Sequence, residues 1–197
     1  MSDLQCPATL LIVPSGLDED ELCGGRLTDK GREQVRRLVE QVRPRRIAGV
    51  HCSTMDAAVR AAELAASELG VRLVVADGLQ ELSVGEPAEN GHAVVERFKD
   101  AAAEIADTHR GETVLVFTHR SVMSLAIPRL SVNVRNDHAA QRLLPDCAPV
   151  EVEVDADGWR VISWPGVPDT SPASGPSSPG GAQNRREPTS SMPLSAS

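Results

Sequence analysis

The sequence predicts a three-layer α/β/α fold with a mixed, largely parallel central sheet. Two observations carry this. Short apolar runs at residues 8–13, 47–51, 71–75 and 114–117 alternate with longer segments whose apolar residues recur every three or four positions. That is the pattern of buried parallel strands joined by helices that cover both faces of a sheet. The last segment differs. Val150, Val152 and Val154 alternate, 155–158 (Asp-Ala-Asp-Gly) reads as a turn, and 159–164 returns, as in an antiparallel hairpin.

Each element has a local reason. Residues 8–13 (Ala-Thr-Leu-Leu-Ile-Val) lack the polar alternation of a half-exposed strand. The loop after them holds the acidic run 18–21 and the pair Gly24-Gly25. Thr28 is placed to cap a helix whose inner face is Val35, Leu38, Val39 and Val42, and Pro44 is expected to end it. A second strand, 47–51, leads to an alanine-rich helix over 56–69 that Gly70 closes. A third strand at 71–75 precedes a helix with Val94, Phe98, Ala102 and Ile105 on one face. The fourth strand, 114–117, feeds a helix through Val122, Leu125 and Ile127.

These elements imply one domain over residues 1–164. Beyond it the composition changes. Seven of the fourteen prolines lie in 165–197, among many serines and glycines, and such a segment cannot bury enough apolar surface to order itself. Residues 165–197 are therefore expected to form a disordered tail.

Composition narrows the function classes. A net charge of -8 argues against nonspecific binding to nucleic acid or to anionic membranes. No apolar run approaches the ~18 residues of a membrane span, and the first residues lack the basic start and apolar stretch of a signal peptide, so a cytoplasmic location is expected. Only Lys30 and Lys99 stand against 18 arginines, a bias that suggests a GC-rich genome of actinobacterial type. The four cysteines, Cys6, Cys23, Cys52 and Cys147, form no C-x-x-C pair. They read as reduced structural thiols; neither a metal nor a cofactor is expected.

Four ordered segments carry more specific information. They are Leu27-Thr28-Asp29-Lys30-Gly31-Arg32-Glu33-Gln34; Cys52-Ser53-Thr54-Met55 followed by Ala61-Ala62-Glu63; Leu79-Gln80-Glu81-Leu82 followed by Gly85-Glu86; and Gly111 to His119 (Gly-Glu-Thr-Val-Leu-Val-Phe-Thr-His). In order and spacing they resemble the histidine phosphatase (phosphoglycerate mutase-like) superfamily. The resemblance implies a histidine phosphatase-like domain in which His119 is the second catalytic histidine and Glu81 the acid. The short segment between Gly85 and His92 is similar to that of compact members with few lid insertions, which implies an open pocket.

The same resemblance implies a lost nucleophile. The family's first strand runs into an Arg-His-Gly tripeptide, and this chain reads Pro14-Ser15-Gly16 there. The second-loop arginine aligns with Ala57, and the glycine after the second histidine is Arg120. A phosphoryl group carries close to two negative charges at neutral pH, and its transfer needs cationic donors aimed at its oxygens. Arg60, Arg26 and Arg120 are the candidates to replace the missing clamp, with Ser53 beside them as a binding residue. The acidic run 18–21 is read as a solvated loop; facing the pocket, it would repel phosphate.

Several functions follow as expectations. One is a non-catalytic protein that binds a small metabolite or a protein partner. Another is a repurposed acid–base enzyme, of cyclase, isomerase or dehydratase type, using His119 and Glu81. A third retains phosphatase or phosphomutase activity through a rearranged site. A fourth uses Ser15, His119 and Glu81 as a hydrolase triad. His51 ends a strand beside the expected pocket and is a secondary candidate. His92, His109 and His138 fall in loop-like stretches and are expected in solvent.

Overall fold

A computed structural model describes residues 6–15, 22–23, 26–83, 89–142 and 144–165. The expected tail, from residue 166 on, and the acidic run 18–21 lie outside the described residues.

The strands are β1 (Ala8–Pro14), β2 (Leu22–Cys23), β3 (Arg26–Leu27), β4 (Ile47–Cys52), β5 (Arg72–Val75), β6 (Thr113–Thr118), β7 (Val150–Asp155) and β8 (Gly158–Ser163). The helices are α1 (Asp29–Val42), α2 (Asp56–Leu69), α3 (Gly91–Thr108), α4 (Arg120–Leu130) and α5 (His138–Gln141). Six strands form one sheet in the order β5-β4-β6-β1-β7-β8. β5, β4, β6 and β1 run parallel, and the β7–β8 hairpin adds antiparallel to β1. This is the expected mixed, mostly parallel α/β sheet.

The core lies on both faces because side chains alternate along each strand. Leu10 and Ile12 of β1 join Val114 and Val116 of β6 under α3 and α4. Leu11 and Val13 join Leu115 and Phe117 under α1 and α2. A strand buried on both sides reads as an unbroken apolar run, which is why β1 stood out in the sequence.

Local chemistry sets the boundaries. The Thr28 side chain accepts from the Gly31 N–H and caps α1. Pro44 does not stop that helix alone: α1 ends at Val42, tightens into a 3-10 turn over Arg43–Arg45, and reverses at Arg46 with φ +53°. Gly70, at φ +71°, closes α2 as expected, because only glycine adopts that conformation without strain. Three short features escaped the sequence: the β2–β3 ladder, a 3-10 turn over Asp77–Leu79, and α5. Among the described residues no helix is long and apolar enough to cross a membrane.

Candidate functional site

Parallel strands bring their carboxyl ends to one edge of the sheet, where an open α/β fold places its pocket. Here β1 ends into Ser15, β4 into Ser53 and β6 into His119. Backbone bonds hold them in line: the Ser53 N–H donates to the Phe117 carbonyl (3.0 Å) and the Ser15 N–H to the Thr118 carbonyl (2.7 Å). Glu81 arrives from the side, after the Asp77–Leu79 turn. The Thr118 hydroxyl donates to the Leu79 carbonyl (2.8 Å) and pins that turn to β6.

His119 is buried at the start of α4. Its Nε2 lies 2.9 Å from the Ser53 Oγ, and its Nδ1 lies 3.4 Å from a carboxylate oxygen of Glu81. Burial pushes the pKa of His119 below the ordinary histidine value; Glu81 opposes this and Arg97 adds to it. A neutral ring has one donor and one acceptor. The carboxylate only accepts, so the proton sits on Nδ1 and Nε2 accepts from the Ser53 hydroxyl. The Ser53 oxygen in turn accepts from the Met55 N–H (3.2 Å).

Glu81 is held from three sides. One carboxylate oxygen accepts from the Leu82 N–H (2.9 Å) and from the Ser121 hydroxyl. Arg97, on α3, donates to the carbonyls of Gly78 (3.0 Å), Gln80 (2.8 Å) and Glu81 (3.1 Å). Its guanidinium also pairs with Glu89, whose carboxyl it holds below the usual range. Arg97 is therefore a strut for the Glu81 segment.

The structure joins Glu81, His119 and Ser53 and leaves the other candidates apart. Ser15 is buried, and its hydroxyl donates to the Thr118 carbonyl at 2.6 Å. The hydroxyl that meets His119 belongs to Ser53, which corrects the Ser15–His119–Glu81 arrangement. The reason is lateral order: β4 and β1 both flank β6, and the His119 ring turns toward the β4 side. Arg60 pairs with Glu63 at 3.0 Å, with both side chains about half exposed. Arg120 pairs with Asp146. Neither bonds to the Glu81–His119 group. The side chain of Arg26 lies outside the described residues.

Two participants escaped the sequence. Ser121 carries a faint signal, two positions after His119 in the first turn of α4. Arg97 carries none, because its role depends on how α3 packs. His51 faces away from the site and pairs with His109 (Nε2 to Nε2, 3.1 Å). His109 and His138 are not free in solvent as expected: His109 is mostly buried, and burial lowers the pKa of His138. Cys6 and Cys52 are free thiols, and burial pushes Cys52 up to about 11. Among the described residues, no three His, Cys, Asp or Glu side chains come together in a way that could hold a metal ion.

Comparisons with known proteins agree with this architecture. The fold matches YhfR of Bacillus stearothermophilus with a TM-score of 0.66 at 21% identity, over 79% of this chain and 95% of that one. It matches the mycobacterial glucosyl-3-phosphoglycerate phosphatase, solved with VO3, with a TM-score of 0.65 at 14% identity, over 81% and 98%. The alpha-ribazole phosphatase from Shigella flexneri matches with a TM-score of 0.61 at 16% identity, over 79% and 94%. No curated protein matches the sequence. The family description "Histidine phosphatase superfamily (branch 1)" matches residues 22–88 and 85–165, most of the chain, and the protein belongs to that superfamily.

Proposed function

We propose that this protein has lost phosphohistidine chemistry and serves as a non-catalytic binding member of its superfamily, holding a ligand at the carboxyl ends of β1, β4 and β6. The observation that carries this reading is the state of Ser15. It stands where the resemblance puts the nucleophile, and its hydroxyl is spent on the Thr118 carbonyl. The family match begins at residue 22, after that position.

Electrostatics supports the same reading. Phosphoryl transfer needs fixed positive charge at the oxygens. Pro14 supplies neither a charge nor an N–H, and Ala57 supplies no charge. Arg60 and Arg120 are engaged by Glu63 and Asp146. No cation touches Ser15, Ser53 or His119 among the described hydrogen bonds and ion pairs. The ligand that suits such a pocket is a small uncharged metabolite, oriented by Glu81 and His119.

The Glu81–His119 contact favours a second reading, acid–base chemistry on a small molecule. A neutral histidine facing a carboxylate can shuttle a proton. A serine hydrolase is disfavoured, since Ser53 is fully buried and a nucleophile must reach its substrate.

The test is hydrolysis of p-nitrophenyl phosphate by wild type and His119→Ala. The expected result is no turnover by either. Wild-type turnover that disappears in His119→Ala would mean a rearranged phosphatase site and would overturn the proposal.

A further inference from the structure

Away from the Glu81–His119 group, a cavity of about 720 Å³ opens between the β5 edge of the sheet and α3. Its size falls within the ~300–1,000 Å³ of small-molecule sites. Gly49, Val74, Ala101 and Ile105 give it apolar walls, and His51 and His109 supply its polar end.

That polar end is a relay with a defined direction. A Glu112 carboxylate oxygen lies 2.8 Å from His109 Nδ1, which must therefore carry a proton. In the tautomer in which His109 Nε2 accepts, His51 Nε2–H donates to it across 3.1 Å. The remaining nitrogen of His51, Nδ1, is then a bare acceptor. It has no hydrogen-bond partner among the described residues, although His51 is only 6% exposed and lines the cavity. That nitrogen is open to a donor from a molecule in the cavity.

The surrounding charge selects the ligand. Asp77, Asp100 and Glu104 are exposed and outnumber Arg72, while Arg97 is matched by Glu89. An anion is disfavoured there.

We propose that this cavity is a second binding site, taking a small, uncharged, mainly apolar molecule that donates one hydrogen bond to His51, of the class of aromatic or alicyclic alcohols. Neither Glu81 nor His119 lines this cavity, although Gly78 and Arg97, which hold the Glu81 segment, border it.

The test titrates 1-naphthol, 1-methoxynaphthalene and 1-naphthoate into the full chain, by calorimetry and by the imidazole nitrogen resonances of His51 and His109. We expect 1-naphthol to bind and shift both rings. The ether, which lacks the donor, should bind about tenfold more weakly, the loss of one hydrogen bond, and the carboxylate more weakly still. Val74 packs against neither core, so Val74→Phe should fill the cavity without disturbing the fold and weaken 1-naphthol at least tenfold. His51→Leu should reduce 1-naphthol to the affinity of the ether; if that variant does not fold, the ether and Val74→Phe decide. Absence of 1-naphthol binding, equal binding of all three probes, or indifference to Val74→Phe would overturn the proposal.

Discussion

The Nε2 of His119 and the Oγ of Ser53 lie 2.9 Å apart, tying the residue that follows β6 to the one that follows β4. Ser53 is fully buried and also receives the Met55 N–H at the start of α2. Ser53→Ala would leave His119 Nε2 and that N–H without their partner. Such a loss costs about 1–3 kcal/mol. Urea denaturation should show the unfolding free energy falling by that amount, with a lower midpoint, and the imidazole nitrogens of His119 should shift. An unchanged midpoint would mean that water takes over the role of the hydroxyl.

Stability should depend on pH through His51. Burial, helped by His109 and Arg72, lowers its pKa from 6.5 to about 4. The unfolded chain then binds this proton more readily than the folded one. The contribution of His51 is fully present above about pH 6.5 and is lost as pH falls through 4. A shift of this size corresponds to about 3 kcal/mol as an order of magnitude. His119 and His138 are lowered as well, so the slope between pH 4 and 6.5 belongs to several groups. His51→Gln should flatten it relative to wild type in denaturation curves collected across that window. A variant with the wild-type slope would show that His51 titrates alike in the folded and unfolded chains.

Gly78 is fixed by space rather than by backbone conformation. A Cβ there would sit 2.5 Å from the Ala101 Cβ and 2.7 Å from the Arg97 carbonyl oxygen. The second neighbour is backbone and cannot turn aside. Gly78→Ala should therefore destabilise the protein by about 1–3 kcal/mol. Since Arg97 also binds the carbonyls of Gly78 and Glu81, amide exchange should quicken at Leu79–Leu82 before the rest of the sheet. Adding Ala101→Gly should recover only part of the loss. Full recovery would show that the Arg97 carbonyl is not the limiting contact.

The sheet was legible because its strands are buried on both faces and read as apolar runs, whereas β2, β3 and α5 are too short to show any period. His119, Glu81 and Ser53 were legible as strand-end and turn residues of a known pattern. Which serine meets His119 was not, because Ser15 and Ser53 follow the two strands that flank β6, and only the three-dimensional structure shows where the ring turns. Arg60 and Arg120 were expected inward because the site lacks charge. Arg60 instead finds Glu63 within its own helix, and Arg120 finds Asp146 across a loop. His109 was read as solvated from its place near a loop, yet it ends α3 and meets His51 of β4.

Restoring the histidine should not restore chemistry. Ser15→His supplies a nucleophile at the end of β1, but Pro14 and Ala57 still leave no charge to meet the phosphoryl oxygens. Removing the Ser15 hydroxyl also frees the Thr118 carbonyl of one of its two donors. The single variant should give no p-nitrophenyl phosphate turnover and no phosphohistidine after incubation with a phosphoryl donor. Adding Pro14→Arg and Ala57→Arg supplies two fixed cations, and a trapped phosphohistidine should then become detectable by mass spectrometry. Electrostatic stabilisation by one positioned donor is worth about 10²–10³ in rate, so the two arginines decide the outcome more than the nucleophile does. Turnover by Ser15→His alone would instead show that Arg60, Arg120 or a cation outside the described residues already reaches the site.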